Sequence, residues 1–207
     1  IIKTDGTLWV CGRNDFGQVG DSSVITRTSF VQIMENVTSV VSGWCVTYAI
    51  TQDGCLWAWG RNDKGQLGDG TLDDKWKPVK ILEDVHAVNS AKTSCNLAAA
   101  IKDDGTLLVW GCNQLTPIEI DNEVISVAVG DNYIEYVKED GSLWGYGNND
   151  FGQLGNGTTN PIPVPTQLMS DAKTVRSGGE NTLLKKSDGS VWTWGRNYYG
   201  VLGDGTI

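Results

Sequence analysis

Few residues in this 207-residue chain could do covalent or metal chemistry. There is one histidine, His86, between Val85 and Ala87. A metal centre draws on three or four ligands, and a nucleophile needs a base that is itself oriented. A lone histidine in an apolar run therefore reads as an ordinary strand or loop residue. No G-x-S-x-G or zinc-protease motif occurs. Asp69, Asp73 and Asp74 are near enough in sequence to consider for calcium, but they lack EF-hand spacing. They read as loop carboxylates. The segment Gly65-Gln66-Leu67-Gly68-Asp69-Gly70 lacks the Lys-Ser/Thr ending of a phosphate loop and leads into no helical pattern. No catalytic residue, metal or cofactor is expected. Cys11, Cys45, Cys55, Cys95 and Cys112 form no C-x-x-C pair. Their number is odd, and small buried hydrophobes are their expected role. Asn36-Val37-Thr38 and Asn156-Gly157-Thr158 have the form of glycosylation sequons, and the repeated turn explains Asn156 first.

Charge narrows the partners. Sixteen basic against 25 acidic residues give a net charge of −9. A phosphate-binding surface needs a basic patch, and the densest cluster, Lys75, Lys77 and Lys80, lies beside Asp73 and Asp74. Nucleic acid and anionic membrane surfaces are not expected partners. No apolar run approaches the ~18 residues of a membrane-spanning helix.

The positioning elements come from an internal repeat. Five segments align: Asp5-Gly-Thr-Leu-Trp9, Asp53-Gly-Cys-Leu-Trp57, Asp104-Gly-Thr-Leu-Leu108, Asp140-Gly-Ser-Leu-Trp144 and Asp188-Gly-Ser-Val-Trp192, each closed by a glycine seven residues after its Asp. Their starts lie 48, 51, 36 and 48 residues apart. An Asn follows two residues after each closing glycine, and four copies continue into Gly-x-x-Gly. The third copy has lost that loop and kept its strands. Twenty-four of the 26 glycines occupy repeat positions, so the glycine excess marks recurring backbone sites. Positive φ in a tight turn is the expected reason for each.

Asp-Gly between apolar runs predicts a type I′ hairpin. In the second copy Val46–Ile50 runs in and Cys55–Trp59 runs out, with further strands near Val79–Leu82 and Val37–Val40. Both faces of these strands are apolar, as in blades packed face to face. Trp44 and Trp76 fall outside the strand motif; the other seven tryptophans belong to it.

The unit Val-x-x-Val-x-x-Gly … Asp-Gly-x-Leu-Trp-x-Trp-Gly-x-Asn-x-x-Gly-Gln-Leu-Gly-x-Gly-Thr resembles the regulator of chromosome condensation repeat. Val37, Val40, Gly43, Ala49, Asp53, Gly54, Leu56, Trp57, Trp59, Gly60, Asn62 and Gly65 through Thr71 carry it. The family's histidine after Gly-x-x is replaced by Val46, Tyr133 and Asn181, and Ala91 stands for the third copy's glycine. The resemblance implies an all-β fold, a β-propeller or an open arc of one, with about four to five four-stranded blades. The family usually has seven. Residues 1–207 are expected to form one repeat domain belonging to a longer propeller, with both ends read as cuts. The copies look more like bacterial than nuclear ones.

A non-catalytic scaffold presenting variable rim loops to a protein partner is the leading functional expectation. Its candidate binding residues are Trp44, Tyr133 and Glu180, in the segments that vary most between copies. Guanine-nucleotide exchange on a small GTPase, which the resemblance implies, and an enzyme-inhibitor-like binding protein are the alternatives. Exposed blade edges predict self-association or a missing remainder.

Overall fold

Each Asp-Gly pair turns the chain between two antiparallel segments. The Gly54 N–H donates to the Thr51 carbonyl at 2.9 Å, and the Asp53 carboxylate accepts from the Cys55 amide at 3.3 Å. Only the glycine has positive φ, +76° at Gly54; Asp53 does not. The expected type I′ turn is therefore corrected to a three-residue loop ending in a left-handed glycine. The Asp side chain folds back on the amide two residues on, which sets the turn without positive φ at Asp. A hydroxyl then relays the carboxylate to the strand. Thr7 Oγ1 donates to Asp5 at 2.7 Å and accepts from the Trp9 indole at 2.9 Å. Ser142 and Ser190 repeat this between Asp140 and Trp144 and between Asp188 and Trp192. These hydroxyl donors hold all three carboxyls below the usual range.

The computed structural model describes residues 1–92 and 97–206; Cys95 and Ile207 lie outside them. Among the described residues there are seventeen β-strands, one 3-10 turn at Tyr198–Gly200 and no α-helix. No helix is long and apolar enough to cross a membrane. The strands β1 (Leu8–Gly12) and β2 (Arg27–Met34) form a two-stranded sheet. Three four-stranded antiparallel blades follow in chain order. They are β3 (Val37–Ser42), β4 (Val46–Thr51), β5 (Leu56–Gly60) and β6 (Lys75–Leu82); β7 (Val85–Ser90), β8 (Ala98–Lys102), β9 (Leu107–Gly111) and β10 (Gln114–Asp121); and β11 (Val124–Val129), β12 (Tyr133–Lys138), β13 (Leu143–Gly147) and β14 (Ile162–Met169). The last sheet has three strands, β15 (Ala172–Ser177), β16 (Asn181–Lys186) and β17 (Val191–Gly195).

The chain divides into two compact units, residues 1–103 with 108–118 and residues 104–107 with 119–207. In the first unit, Tyr48, Leu56, Leu67, Ala100 and Trp110 form one core cluster between two blades. In the second, Ala128, Val137, Leu143, Val175 and Leu184 do the same.

One carbonyl per loop docks the next blade. Gln18 O accepts from Thr47 Oγ1 at 2.8 Å and the Trp59 indole at 3.0 Å. Gln153 O likewise accepts from Thr182 and Trp194. The third copy has Ala98 where these have threonine, and the hydroxyl of Tyr48 takes the vacant place on Gln66 O beside the Trp110 indole. The second glycine of Gly-x-x-Gly lies flat on that indole. A Cβ on Gly68 would sit 2.8 Å from Trp110 Cδ1. The repeated Asn builds the loop itself: Asn62 Oδ1 accepts from the Leu67 amide and its Nδ2 donates to Thr71 O, both at 3.0 Å. In the third copy Cys112 and Asn113 take positive φ and turn the chain straight into β10, whose start rests on the second copy's loop through Asn113 N–H to Lys64 O at 2.8 Å.

Not every repeated glycine is conformational. Gly130 and Gly178 lack positive φ, which corrects the expectation for them. A Cβ on Gly130 would fall inside the Tyr133 ring, and one on Gly178 against Asn181 Oδ1 at 2.3 Å.

Candidate protein-interaction surface

The residues first considered for chemistry have structural roles. His86 is exposed, with Nδ1 3.1 Å from the Lys102 carbonyl. Asp69 accepts from Asn62 and Thr71 and pairs with Lys75 at 3.3 Å. Asp74 accepts from the Asn62 amide at 2.7 Å. Among the described residues no group of three His, Cys, Asp or Glu side chains is placed to hold a metal ion. Asn156 accepts from the Thr158 amide and hydroxyl inside its turn. Cys45 and Cys55 are buried and Cys11 is exposed, all three free. Burial pushes the Cys45 thiol up.

The three candidate binding residues separate. Trp44, in the loop between β3 and β4, is 52% exposed. The Arg61 guanidinium lies 5.6 Å from its ring and 5.0 Å from the ring of Phe16. Asp63 holds Arg61 at 2.6 Å, and this hydrogen bond raises the arginine's pKa further. The Arg61 amide donates to the Cys45 carbonyl at 2.9 Å, tying the arginine to the Trp44 loop. A cleft of about 240 Å³ opens beside it, lined by Arg13, Gln18, Trp44 and Cys45 among others.

Glu180 belongs to an equivalent arrangement in the second unit. It pairs with Arg196, whose guanidinium lies 4.6 Å from Phe151 and 4.1 Å from Tyr198. The Arg196 amide donates to the Glu180 carbonyl at 2.9 Å, as Arg61 does to Cys45. Tyr198 and Tyr199 are exposed beside it. An arginine flanked by aromatics is thus built twice, once in each unit. Cation–π stacking and an acid partner fix the planar group.

Tyr133 does not join either surface. It is 1% exposed and donates to the Asn181 carbonyl at 2.9 Å. Its ring covers Gly130, so it is a packing residue between β12 and β16. The histidine position of the repeat is an interior position here, which is why variation there did not mark a surface.

Beneath it lies a group that the motif alone did not mark. Glu135 on β12 is fully buried, and burial pushes its carboxyl up to about 8. Thr182 Oγ1 has one proton and two acceptors, Glu135 Oε2 at 2.6 Å and Gln153 O at 2.9 Å. A protonated Glu135 lets Thr182 accept at Oγ1 while donating to Gln153 O, and its other oxygen, Oε1, is buried without a partner among the described residues, a further reason for the carboxyl to stay neutral.

Phe16, Arg61, Phe151, Arg196 and Tyr198 also escaped the sequence reading. The available marks were the arginine after three of the closing glycines, Arg13, Arg61 and Arg196, and the phenylalanine in two Asn-Asp-Phe-Gly loops.

Four-stranded antiparallel blades docked by a repeated tryptophan define the β-propeller class. Models of the regulator of chromosome condensation (RCC1) repeat match residues 53–101 and 140–184, and 37–66, 124–153 and 172–201. The chain belongs to the RCC1 repeat family. Its fold is similar to that of human WBSCR16, with TM-score 0.84, 19% identity and all of this chain covered. It is also similar to yeast RCC1 (Prp20) in complex with Kap60, with TM-score 0.77, 21% identity and 98% covered, and to Prp20p of Saccharomyces cerevisiae, with TM-score 0.80, 18% identity and 100% covered. The chain spans 61%, 55% and 57% of those three chains.

Proposed function

We propose that this chain is a non-catalytic protein-interaction scaffold. Its partner-facing groups are Trp44 with Arg61 and Phe16, and Tyr198 with Arg196, Phe151 and Glu180. The observation that carries the reading is the twofold construction of a half-buried arginine flanked by aromatics, with Trp44 in one and Phe151 and Tyr198 in the other exposed, on otherwise structural loops. Trp, Tyr and Arg are the side chains that dominate protein interfaces, because they bury much area at little entropic cost once pre-ordered. Here the arginines are already held by Asp63 and Glu180. A net charge of −9 favours a protein over a phosphate backbone. Tyr133 is withdrawn from the set by its burial.

Exchange on a small GTPase is the second reading. Prp20p, similar in fold, has binding properties toward Gsp1p and histones, which motivates the assay. Mant-nucleotide release from a small GTPase separates the two readings. The scaffold reading expects no acceleration at micromolar chain, and acceleration abolished by Trp44→Ala would replace it with exchange.

A further inference from the structure

Four copies carry a tryptophan four residues after the turn aspartate, and in three of them a lysine lies over its ring. Lys3 Nζ is 3.8 Å from the ring centroid of Trp9, Lys138 Nζ 6.0 Å from that of Trp144 and Lys186 Nζ 4.9 Å from that of Trp192. Each lysine stands two residues before its aspartate. The third copy keeps the lysine, Lys102, and has Leu108 in place of the tryptophan. The second copy does the reverse. It keeps Trp57 and has Thr51 where the lysine belongs.

That exchange has a local cause. Elsewhere the hydroxyl joining aspartate to indole comes from Thr7, Ser142 or Ser190, two residues after the aspartate. The second copy has Cys55 there. Its hydroxyl comes from the other side of the turn. Thr51 Oγ1 donates to Asp53 at 2.6 Å and accepts from the Trp57 indole at 3.3 Å. Lys80, opposite Trp57 in the β5–β6 pairing, is bonded to Glu83. Among the described residues no cation stacks on Trp57. A cleft of about 520 Å³ opens at the ring, lined by Trp57, Thr51, Met34, Glu35 and Asp53 among others. Trp57 is half-buried, and Glu35 and Asp53 are exposed. All of them belong to the first compact unit.

We infer that the cleft at Trp57 binds the ammonium group of a lysine side chain from a partner protein. The ligand takes the place that the chain's own lysine holds in the other copies. The indole face attracts the cation. Glu35 and Asp53 complement its charge, and Met34 offers apolar surface to its alkyl stem. A second copy of the chain is a poorer donor, because its Lys3, Lys138 and Lys186 are already stacked on their own tryptophans. The cleft is separate from the arginine–aromatic surfaces, so either can fail alone.

The test titrates the 207-residue chain with the capped tripeptide acetyl-Gly-Lys-Gly-amide and follows the Trp57 indole N–H by NMR, assigned with Trp57→Phe. The lysine tripeptide should shift that signal with a Kd on the order of millimolar, and its norleucine counterpart should bind about fivefold more weakly or worse. Thr51→Lys restores the repeat's lysine and should abolish binding by filling the cleft from within. Glu35→Gln, at an exposed position, should weaken binding about twofold or more and leave the other indole signals in place. Equal binding of the lysine and norleucine peptides, binding unchanged in both variants, or no shift at about 50 mM peptide overturns the inference. A Trp57 signal that moves with chain concentration alone assigns the cleft to a second copy and overturns the partner reading.

Discussion

Replacing Glu135 by Gln tests the buried network between β12 and β16 directly. The carboxyl titrates at about 8 in the fold against an ordinary 4.5, and desolvation is the main cause. The raised value sets the sign. Below pH 4.5 the carboxyl is protonated in both states and costs nothing. Between 4.5 and 8 the unfolded chain ionises while the folded chain resists, so stability falls steadily. Above 8 the loss is complete. At 1.36 kcal/mol for each pKa unit, the full loss is about 4–5 kcal/mol. Gln keeps the shape and offers an N–H where the protonated acid offers O–H, to Thr182 Oγ1. Urea titrations followed by circular dichroism at pH 4.5, 7 and 9 give the difference between variant and parent. Near pH 4.5 the two should agree within about 1 kcal/mol. At pH 9 Glu135→Gln should be the more stable by several kcal/mol, with most of that gain present at pH 7. A difference that does not change with pH, or a parent chain gaining on the variant as pH rises, would refute the neutral carboxyl and the proton count around Thr182.

Three further changes probe the blade-docking loops and the surface. Gly68→Ala puts a Cβ 2.8 Å from the Trp110 indole and should cost about 2–4 kcal/mol by denaturant titration. Gly157→Ala, with the same positive φ and open space around it, should cost only about 1 kcal/mol. Asn62→Ala removes the partners of the Leu67 amide and the Thr71 carbonyl and should cost about 2–3 kcal/mol, with faster exchange confined first to residues 62–71. Trp44→Ala should leave the unfolding free energy from urea titration within about 0.5 kcal/mol of the parent, since its side chain is exposed.

Much of this fold is written in short-range pattern. Asp-Gly, the closing glycine and the following Asn place β4, β5 and the loop after them within a residue or two, because each acts on its own neighbours. The turn type was misjudged for a local reason: the Asp53 carboxylate binds the Cys55 amide, and that replaces the second positive φ of a type I′ turn. Gly130 was misjudged for a non-local one, since the ring that excludes a Cβ belongs to a residue across the loop. The candidate surface was legible only in part. Trp44 and Glu180 were found as variable loop residues. Their arginine partners follow β5 and β17, across the hairpin from each loop residue, and their phenylalanines come from a neighbouring blade's loop. Glu135 was invisible because its burial depends on β16 covering it. Tyr133 was misplaced because variability between copies can mark an interior position filled in different ways.

A protein partner seated on the two arginine–aromatic surfaces is best tested by a photo-crosslinking amino acid placed singly at positions 44, 198 and 125 in extract from the native source. Position 125, exposed at the start of β11, is the control. One common protein should be captured from positions 44 and 198 at yields about tenfold above position 125, and capture at 44 should be lost when Arg61 is changed to Gln. Equal yields at all three positions, or capture from position 125 alone, would contradict the proposed interface.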